Sequence, residues 1–237
     1  MGKNIEDFSS VFYPFLTKAE AKPKVLLDAL RFSLLEKARE SVEVKQQFFA
    51  ENWQTILHAS LAMARAFHRG QKLLVMGNGG SASDAQHVAV EFMHPITVGR
   101  KALPAVSLTN DIAVVTAVAN DVSFADVFVR QLLALGHTGD MLLGISTSGN
   151  SENLLHGFAV GKKMGIITLG YTGNDGGKMA RQAKEGVIDY LMVVPTSSIH
   201  RIQETHVALY HIMWDLVHEL LHHQALLEEA NEHEVHR

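Results

Sequence analysis

The chain has 237 residues, 47% of them apolar, and a formal net charge of −4. This length and composition predict one domain with a sizeable core and helical extensions. The acidic balance, without a compensating basic block, argues against a nucleic-acid partner. The sequence has no apolar run of membrane-spanning length and no basic-then-apolar leader, and it contains no cysteine. We therefore expect a protein of the reducing cytoplasm with no membrane partner.

The first predicted elements are helical. Residues 25–67 carry apolar side chains at spacings of three and four, as in "LLDALRFSLLEKA", which is typical of amphipathic helices. We predict two such helices, with Gly70 as the stop, while Pro14 and Pro23 break any long helix within the first 25 residues.

Short apolar runs then alternate with stretches of helical periodicity. Continuous apolar runs suit strands buried on both faces, and their alternation with helices suits parallel βαβ units. We predict an open parallel sheet between helical layers, followed by a C-terminal helix over residues 199–221. The predicted strands are residues 72–76, 104–108, 141–145, 166–171 and 190–194.

Two strand-to-helix junctions are rich in glycine, amide and hydroxyl residues. The first is "VMGNGGSASD" and the second is "GISTSGNSEN", in which Ser148 or Asn150 could cap the following helix. Helix N-termini attract anions, and hydroxyls add neutral donors, so we interpret the pair as a cradle for one phosphate monoester. The alternative is that these are ordinary turn and cap residues. Gly77, Gly79 and Ala82 also match a dinucleotide-binding fingerprint. That hypothesis is weak, because the acidic residue that should follow the fingerprint, Asp111, lies too far along the chain.

Two further groups of polar residues lie on predicted helices. His87 and Glu91 are four residues apart and share a helical face, where they could bind Zn²⁺, act as an acid/base pair or form an ordinary ion pair. On the C-terminal helix, Gln203, His206 and Tyr210 lie close to one face, and spacing alone does not decide between His206 and His211 as the functional histidine. The histidines of the tail, from "HELLHH" onward, are interpreted as solvated helix surface.

Five segments, taken together, resemble the sugar isomerase (SIS) domain family and, within it, the phosphoheptose isomerases. They are "GNGGSASDAQHVAVE", "AVANDVSFADVF", "GDMLLGISTSGNSENLL", "GYTGNDGGKMA" and "RIQETHVALYH", and they occur in the family's order. The resemblance covers residues 46–221 and places the SIS domain there. Residues 1–45 form an N-terminal extension, partly helical, and residues 222–237 form a His/Glu-rich tail.

The resemblance implies a flavodoxin-like α/β/α sandwich of three layers with a five-stranded parallel sheet. It also implies a homotetramer with active sites at subunit interfaces, one zinc ion per subunit and a sugar phosphate substrate. The implied reaction is aldose–ketose isomerisation of sedoheptulose 7-phosphate through an enediol, in heptose biosynthesis.

The family's site residues carry over by position. Glu91 and His211 match its acid/base pair. The matches to its zinc ligands are His87, Glu91, Gln203 and His211. The matches to its substrate contacts are Asn78, Gly79, Gly80, Ser81, Glu91, Asn120, Asp121, Ser146, Thr147, Ser148, Ser151 and Gln203.

The chain departs from the family pattern at two places. His200 stands where the family has an Asp, and the segment around Arg100 does not closely match the family's loop. Three other functions stay open at this point: a non-enzymatic SIS protein that binds the replication initiator, a sugar-phosphate-sensing transcription regulator, and an isomerase of another ketose phosphate.

Overall fold

A computed structural model describes the backbone of residues 23–228 and the side chains of residues 27–223 and 225–227. Within this part the helices are α1 (Pro23–His68), α2 (Gly80–Met93), α3 (Ile112–Asp121), α4 (Val129–Leu135), α5 (Glu152–Lys163), α6 (Gly177–Lys184), α7 (Ile199–His222) and α8 (Gln224–Glu228), with a 3-10 helix at Phe124–Asp126. The strands are β1 (Leu73–Gly77), β2 (Ala105–Ser107), β3 (Met141–Ile145), β4 (Ile167–Gly173) and β5 (Tyr190–Val194).

The five strands form one parallel sheet in the order β2-β1-β3-β4-β5. All five predicted strands are confirmed: β3 and β5 have the predicted end points, and the end points of β1, β2 and β4 shift by one or two residues. Every residue of β1 and of β3 is buried, as expected for parallel strands that are covered on both faces.

The core lies in two layers, one on each side of the sheet. Leu73 and Val75 of β1 point to the side covered by α1, α2 and α7. Leu74 and Met76 point to the side covered by α4, α5 and α6. Because side chains alternate along a strand, β1 contributes to both layers. The predicted three-layer α/β/α sandwich is confirmed.

The prediction of two helices over residues 25–67 is wrong, because α1 is continuous from Pro23 to His68. No proline or glycine interrupts the sequence between these limits, so nothing breaks its hydrogen-bond ladder. The predicted stop is confirmed: Gly70 follows the helix with a φ of 80°, the left-handed conformation that glycine adopts without strain. Pro14 lies outside the described residues.

The chain divides into two units, Met1–Glu40 and Ser41–Arg237. In the first unit, the described part of α1 exposes large apolar side chains, among them Leu27, Phe32 and Leu34. The second unit contains the sheet and the helices around it.

The interpretation of the tail histidines as solvated surface is wrong for His218. This side chain is buried and lies within hydrogen-bonding distance of the carbonyl oxygens of Trp214 and Lys101. His222 and His223 are exposed, as expected. In the part of the chain that the structure describes, no helix is both long enough and apolar enough to cross a membrane.

Candidate active site

The two polar junctions meet at the carboxyl ends of β1 and β3. Gly77 pairs with Ile145 across these neighbouring strands. Directly beyond them, the side-chain amides of Asn78 and Asn153 exchange two hydrogen bonds of 2.9 Å. Asn153 is buried, so this amide pair fixes the position of one junction relative to the other. Asn153 was not predicted as a site residue from the sequence.

The second junction, residues 146–151, is named the hydroxyl loop. Ser146 Oγ accepts a hydrogen bond of 3.2 Å from the Gly149 N–H and lies 3.3 Å from Ser151 Oγ. Thr147 is half-buried and Ser148 is exposed. The helix begins after Ser151, and not after Ser148 or Asn150 as predicted. Ser148 and Asn150 do not cap the helix, because their side chains form hydrogen bonds within the loop and to α6 instead.

The backbone of the hydroxyl loop fits tightly against the start of α6. Gly149 has a φ of +65°, and a Cβ placed on it would lie 2.1 Å from the Gly176 carbonyl oxygen. Asn150 Oδ1 accepts a hydrogen bond of 3.1 Å from the Lys178 N–H. Only glycine satisfies both the left-handed conformation and this close approach, so the loop has one fixed shape.

The first junction, residues 77–81, is named the glycine loop, and its glycines also mark close approaches. A Cβ on Gly77 would lie 2.2 Å from the Ser81 carbonyl oxygen, and one on Gly80 would lie 2.3 Å from Nε2 of Gln203. Gly79 is exposed with a φ of +56°. The glycine at position 80 is therefore explained by packing against Gln203, and a bound dinucleotide is not needed to explain it.

A cavity of about 440 Å³ opens beside the two loops and is lined by Asn78 and Ser151, among others. Residues 123–125 form another part of its wall. Asn120 and Asp121 end α3 just before that wall, where they are exposed and joined by a side-chain hydrogen bond of 2.8 Å. The structure thus brings both loops to one cavity, with Asn120 and Asp121 close to it along the chain.

His87, Glu91 and His211 form a second group, named the imidazole cluster. Their potential ligand atoms all lie within 4.8 Å of one another. Glu91 Oε1 is 3.0 Å from His87 Nε2 and 4.0 Å from His211 Nε2. Two imidazole nitrogens and a carboxylate that converge in this way suit a divalent metal such as zinc.

The two histidines of α7 lie in different surroundings. His206 is fully buried, and its Nε2 lies 3.3 Å from the Thr172 carbonyl oxygen. Burial lowers the pKa of His206 to about 4, against the opposing effect of this hydrogen bond. His211 is partly exposed and faces Glu91. His206 is therefore a neutral core residue, and His211 belongs to the imidazole cluster.

Helices α2 and α7 run side by side in the same direction. Gln203 contacts Gly80, Tyr210 contacts His87 and Trp214 contacts Glu91, so the paired positions advance in equal steps of seven and four residues. Gln203 thus lies beside the glycine loop, about 10 Å along the helix from the level of His87. Its place as a fourth metal ligand stays a prediction.

Two polar neighbours of the imidazole cluster were not assigned a role from the sequence. Tyr210 Oη lies 2.8 Å from His87 Nδ1. Burial raises the pKa of Tyr210, and the charges of Asp84 and Glu91 raise it further. Burial also raises the pKa of Asp84 to about 6, while His87 opposes the shift. The signal available for Tyr210 was its spacing of seven from Gln203, on one face of α7.

The two departures from the family pattern lie in the segment between α2 and β2 and in the first turn of α7. Arg100 forms an ion pair of 2.8 Å with Asp215, and its guanidinium lies 5.6 Å from the centre of the Trp214 ring. It therefore anchors the segment after α2 to α7. His200 is exposed in the first turn of α7.

The chain is similar to known proteins of one family. A family model described as the SIS domain matches residues 38–173. The phosphoheptose isomerase of Thermodesulfovibrio yellowstonii is 43% identical over 182 residues, which cover 77% of this chain and 88% of that protein. The structure of phosphoheptose isomerase GmhA from Neisseria gonorrhoeae gives a TM-score of 0.73 at 37% identity, covering 79% of this chain and 98% of that one. A phosphoheptose isomerase from Francisella tularensis gives 0.70 at 32% identity, covering 78% and 96%.

The chain belongs to the SIS domain family and, within it, to the phosphoheptose isomerases. It is therefore an enzyme, an isomerase, and the reading as a non-enzymatic SIS protein is not favoured.

Proposed function

We propose that this isomerase converts sedoheptulose 7-phosphate to glycero-manno-heptose 7-phosphate, for the biosynthesis of nucleotide-activated heptose. The observation that carries the proposal is the convergence of one carboxylate and two imidazoles in the imidazole cluster. The names of the similar proteins support this substrate. An isomerase of another ketose phosphate is the alternative.

The hydroxyl loop binds the phosphate in this proposal. The donors there are the hydroxyls of Ser146, Thr147, Ser148 and Ser151 and the free N–H groups at the start of α5. The sugar is held between the loops by Asn78, Gly79, Gly80, Ser81, Asn120, Asp121 and Gln203. Binding at the phosphate positions the distant reacting carbons, which is how remote contacts accelerate a reaction.

The reaction moves a proton between C1 and C2 through an enediol, and Glu91 transfers it. Oε1 of Glu91 faces both imidazoles, so its second oxygen is available for the carbon-bound proton. His211 exchanges the proton on the sugar oxygen through Nδ1, because its Nε2 faces Glu91.

The imidazole cluster fits zinc, and we assign one ion per subunit to His87, Glu91 and His211. Gln203 is the fourth ligand and comes from a neighbouring subunit, because Gln203 of the same chain lies about 10 Å along α7 from the level of His87. Bound zinc would polarise the sugar oxygens as a Lewis acid. The donor set is of the type that zinc prefers, with imidazole nitrogen and carboxylate oxygen.

We further propose a homotetramer with active sites at subunit interfaces, working in the cytoplasm. Large apolar side chains flank the imidazole cluster at the surface: Val90 and Met93 on α2, and Ile212 on α7, are each more than 40% exposed. Exposed apolar side chains grouped in this way are typical of protein–protein contacts.

The direct test is Glu91→Gln, which keeps the size of the side chain and removes the base. We expect turnover of sedoheptulose 7-phosphate to fall by about 10³-fold or more, with an unchanged thermal midpoint. The matched control is Glu185→Gln, at an exposed glutamate just after α6. Wild-type turnover by Glu91→Gln would exclude Glu91 as the base, and a panel of ketose phosphates would separate the alternative substrate.

A further inference from the structure

Tyr210 holds His87 on the side opposite Glu91. The His87 ring lies between the Tyr210 hydroxyl, 2.8 Å from Nδ1, and Glu91 Oε1, 3.0 Å from Nε2. The Tyr210 ring also packs on the second imidazole of the cluster, with centroids 4.6 Å apart from His211. One tyrosine therefore contacts both histidines.

The surroundings of Tyr210 restrict its movement. Only 3% of the residue is exposed, and it belongs to the core layer formed by α1, α2 and α7. Asp84 lies one helical turn before His87, and among the described residues its buried Oδ2 has no hydrogen-bond partner. Asp84 therefore adds negative charge beside His87 and Tyr210.

A phenolic hydroxyl can donate or accept a hydrogen bond, and the cluster uses both properties. While His87 Nε2–H donates to Glu91, Nδ1 has a lone pair and accepts from the Tyr210 O–H. When Nε2 binds a cation, the ring proton lies on Nδ1 and donates to Tyr210 Oη. Phenylalanine could do neither, although it would fill the same space.

We propose that Tyr210 is a positioning residue, which keeps His87 Nε2 directed at Glu91 and His211 in both proton arrangements. A histidine that binds a metal commonly donates its other N–H to a fixed partner, and loss of that partner weakens metal binding by 10- to 100-fold. The inference rests on the proposed function in one respect, namely that the imidazole cluster binds a divalent ion.

The test compares Tyr210→Phe with Tyr171→Phe. Tyr171 is an equally buried tyrosine of the same core layer, and its hydroxyl donates to the Met213 sulfur, 2.9 Å away. Zn²⁺ affinity is measured by competition with a chromophoric chelator, and the Co²⁺-substituted proteins are compared by visible absorption. The nitrogen-15 signals of the His87 ring in metal-free protein report which nitrogen carries the proton.

We expect Tyr210→Phe to bind Zn²⁺ 10- to 100-fold more weakly, to alter the Co²⁺ absorption bands and to mix the two His87 tautomers. Tyr171→Phe should match the wild type in all three measurements. A Zn²⁺ affinity of Tyr210→Phe within threefold of wild type would overturn the inference. If the wild type binds no metal, the zinc assignment of the proposed function fails. The nitrogen-15 spectrum of His87 then tests the role of Tyr210 by itself, and an unchanged spectrum in Tyr210→Phe overturns that role.

Discussion

The hydroxyl loop and the imidazole cluster are built in opposite ways. The loop depends on its backbone, which Gly149 fits against α6 and which Asn78 and Asn153 tie to the glycine loop. The cluster depends on side chains that project from α2 and α7, two helices held by the core behind them. A change to the backbone of the loop should therefore lower stability together with substrate binding, whereas a substitution in the cluster should lower turnover and leave stability unchanged.

The largest expected effect is a loss of turnover on substitution in the imidazole cluster. His211→Gln should lower kcat by about 10³-fold, equivalent to about 4 kcal/mol, because it removes the proton exchange at the sugar oxygen. The thermal midpoint should stay within about 2 °C of wild type, since His211 is partly exposed. Steady-state kinetics and calorimetry measure the two quantities. A stable variant with wild-type kcat would remove His211 from the mechanism.

The next largest expected effect is a loss of stability when the backbone of the hydroxyl loop is disturbed. Gly149→Ala should lower the free energy of unfolding by about 3 kcal/mol and raise KM, because the new Cβ meets the Gly176 carbonyl in a left-handed conformation. Gly70→Ala is the matched control: its φ is +80°, but a Cβ there meets no described atom within 4 Å. It should cost only about 1 kcal/mol and leave KM unchanged. Equal losses in urea unfolding would contradict the tight fit of the loop.

A smaller effect, on the pH dependence of stability, tests whether His206 is a neutral core residue. Because the pKa of His206 is about 4 in the folded chain and 6.5 is its ordinary value, the unfolded chain takes up the proton first as the pH falls. Stability from the neutral His206 is complete above about pH 6.5 and is lost toward pH 4. Wild type should lose about 2 kcal/mol more than His206→Gln between pH 7 and pH 5.

Urea unfolding at both pH values, on metal-free protein, measures this difference. The control is His58→Gln, at an exposed histidine of α1, which should keep the wild-type dependence. Identical losses in wild type and His206→Gln would show that His206 is not the source of the acid sensitivity.

The smallest effect tests a single hydroxyl of the loop. Ser148 is exposed, so Ser148→Ala should leave the thermal midpoint unchanged and raise KM about 10-fold through loss of one hydrogen bond to phosphate. Ser83→Ala, at an exposed serine of α2, is the control. An unchanged KM in Ser148→Ala would place the phosphate elsewhere.

The sequence predicted the sheet because its strands are buried on both faces and so appear as continuous apolar runs. It predicted the two loops because glycines and hydroxyls follow two of those runs. It could not choose between His206 and His211, since five residues rotate a helix by about 140° and both histidines have apolar neighbours. That choice depends on which side of α7 faces the core.

The contacts that the sequence did not predict join residues far apart in the chain. Asn78 pairs with Asn153 across 75 positions, and Tyr210 meets His87 across 123. Neither partner has a local pattern that identifies the other, because asparagine is common in loops and tyrosine is common on buried helix faces. Only the packing of β1 on β3, and of α2 beside α7, brings them together.

The equal steps between α2 and α7 have a consequence for how this chain can change in length. Deleting one residue of α7 between Gln203 and Tyr210 would turn everything after it by about 100°, and would separate Tyr210 from His87 and Trp214 from Glu91 at once. Insertions and deletions should therefore be absent from this stretch in functional homologues. The irregular segment 95–104 can change in length instead.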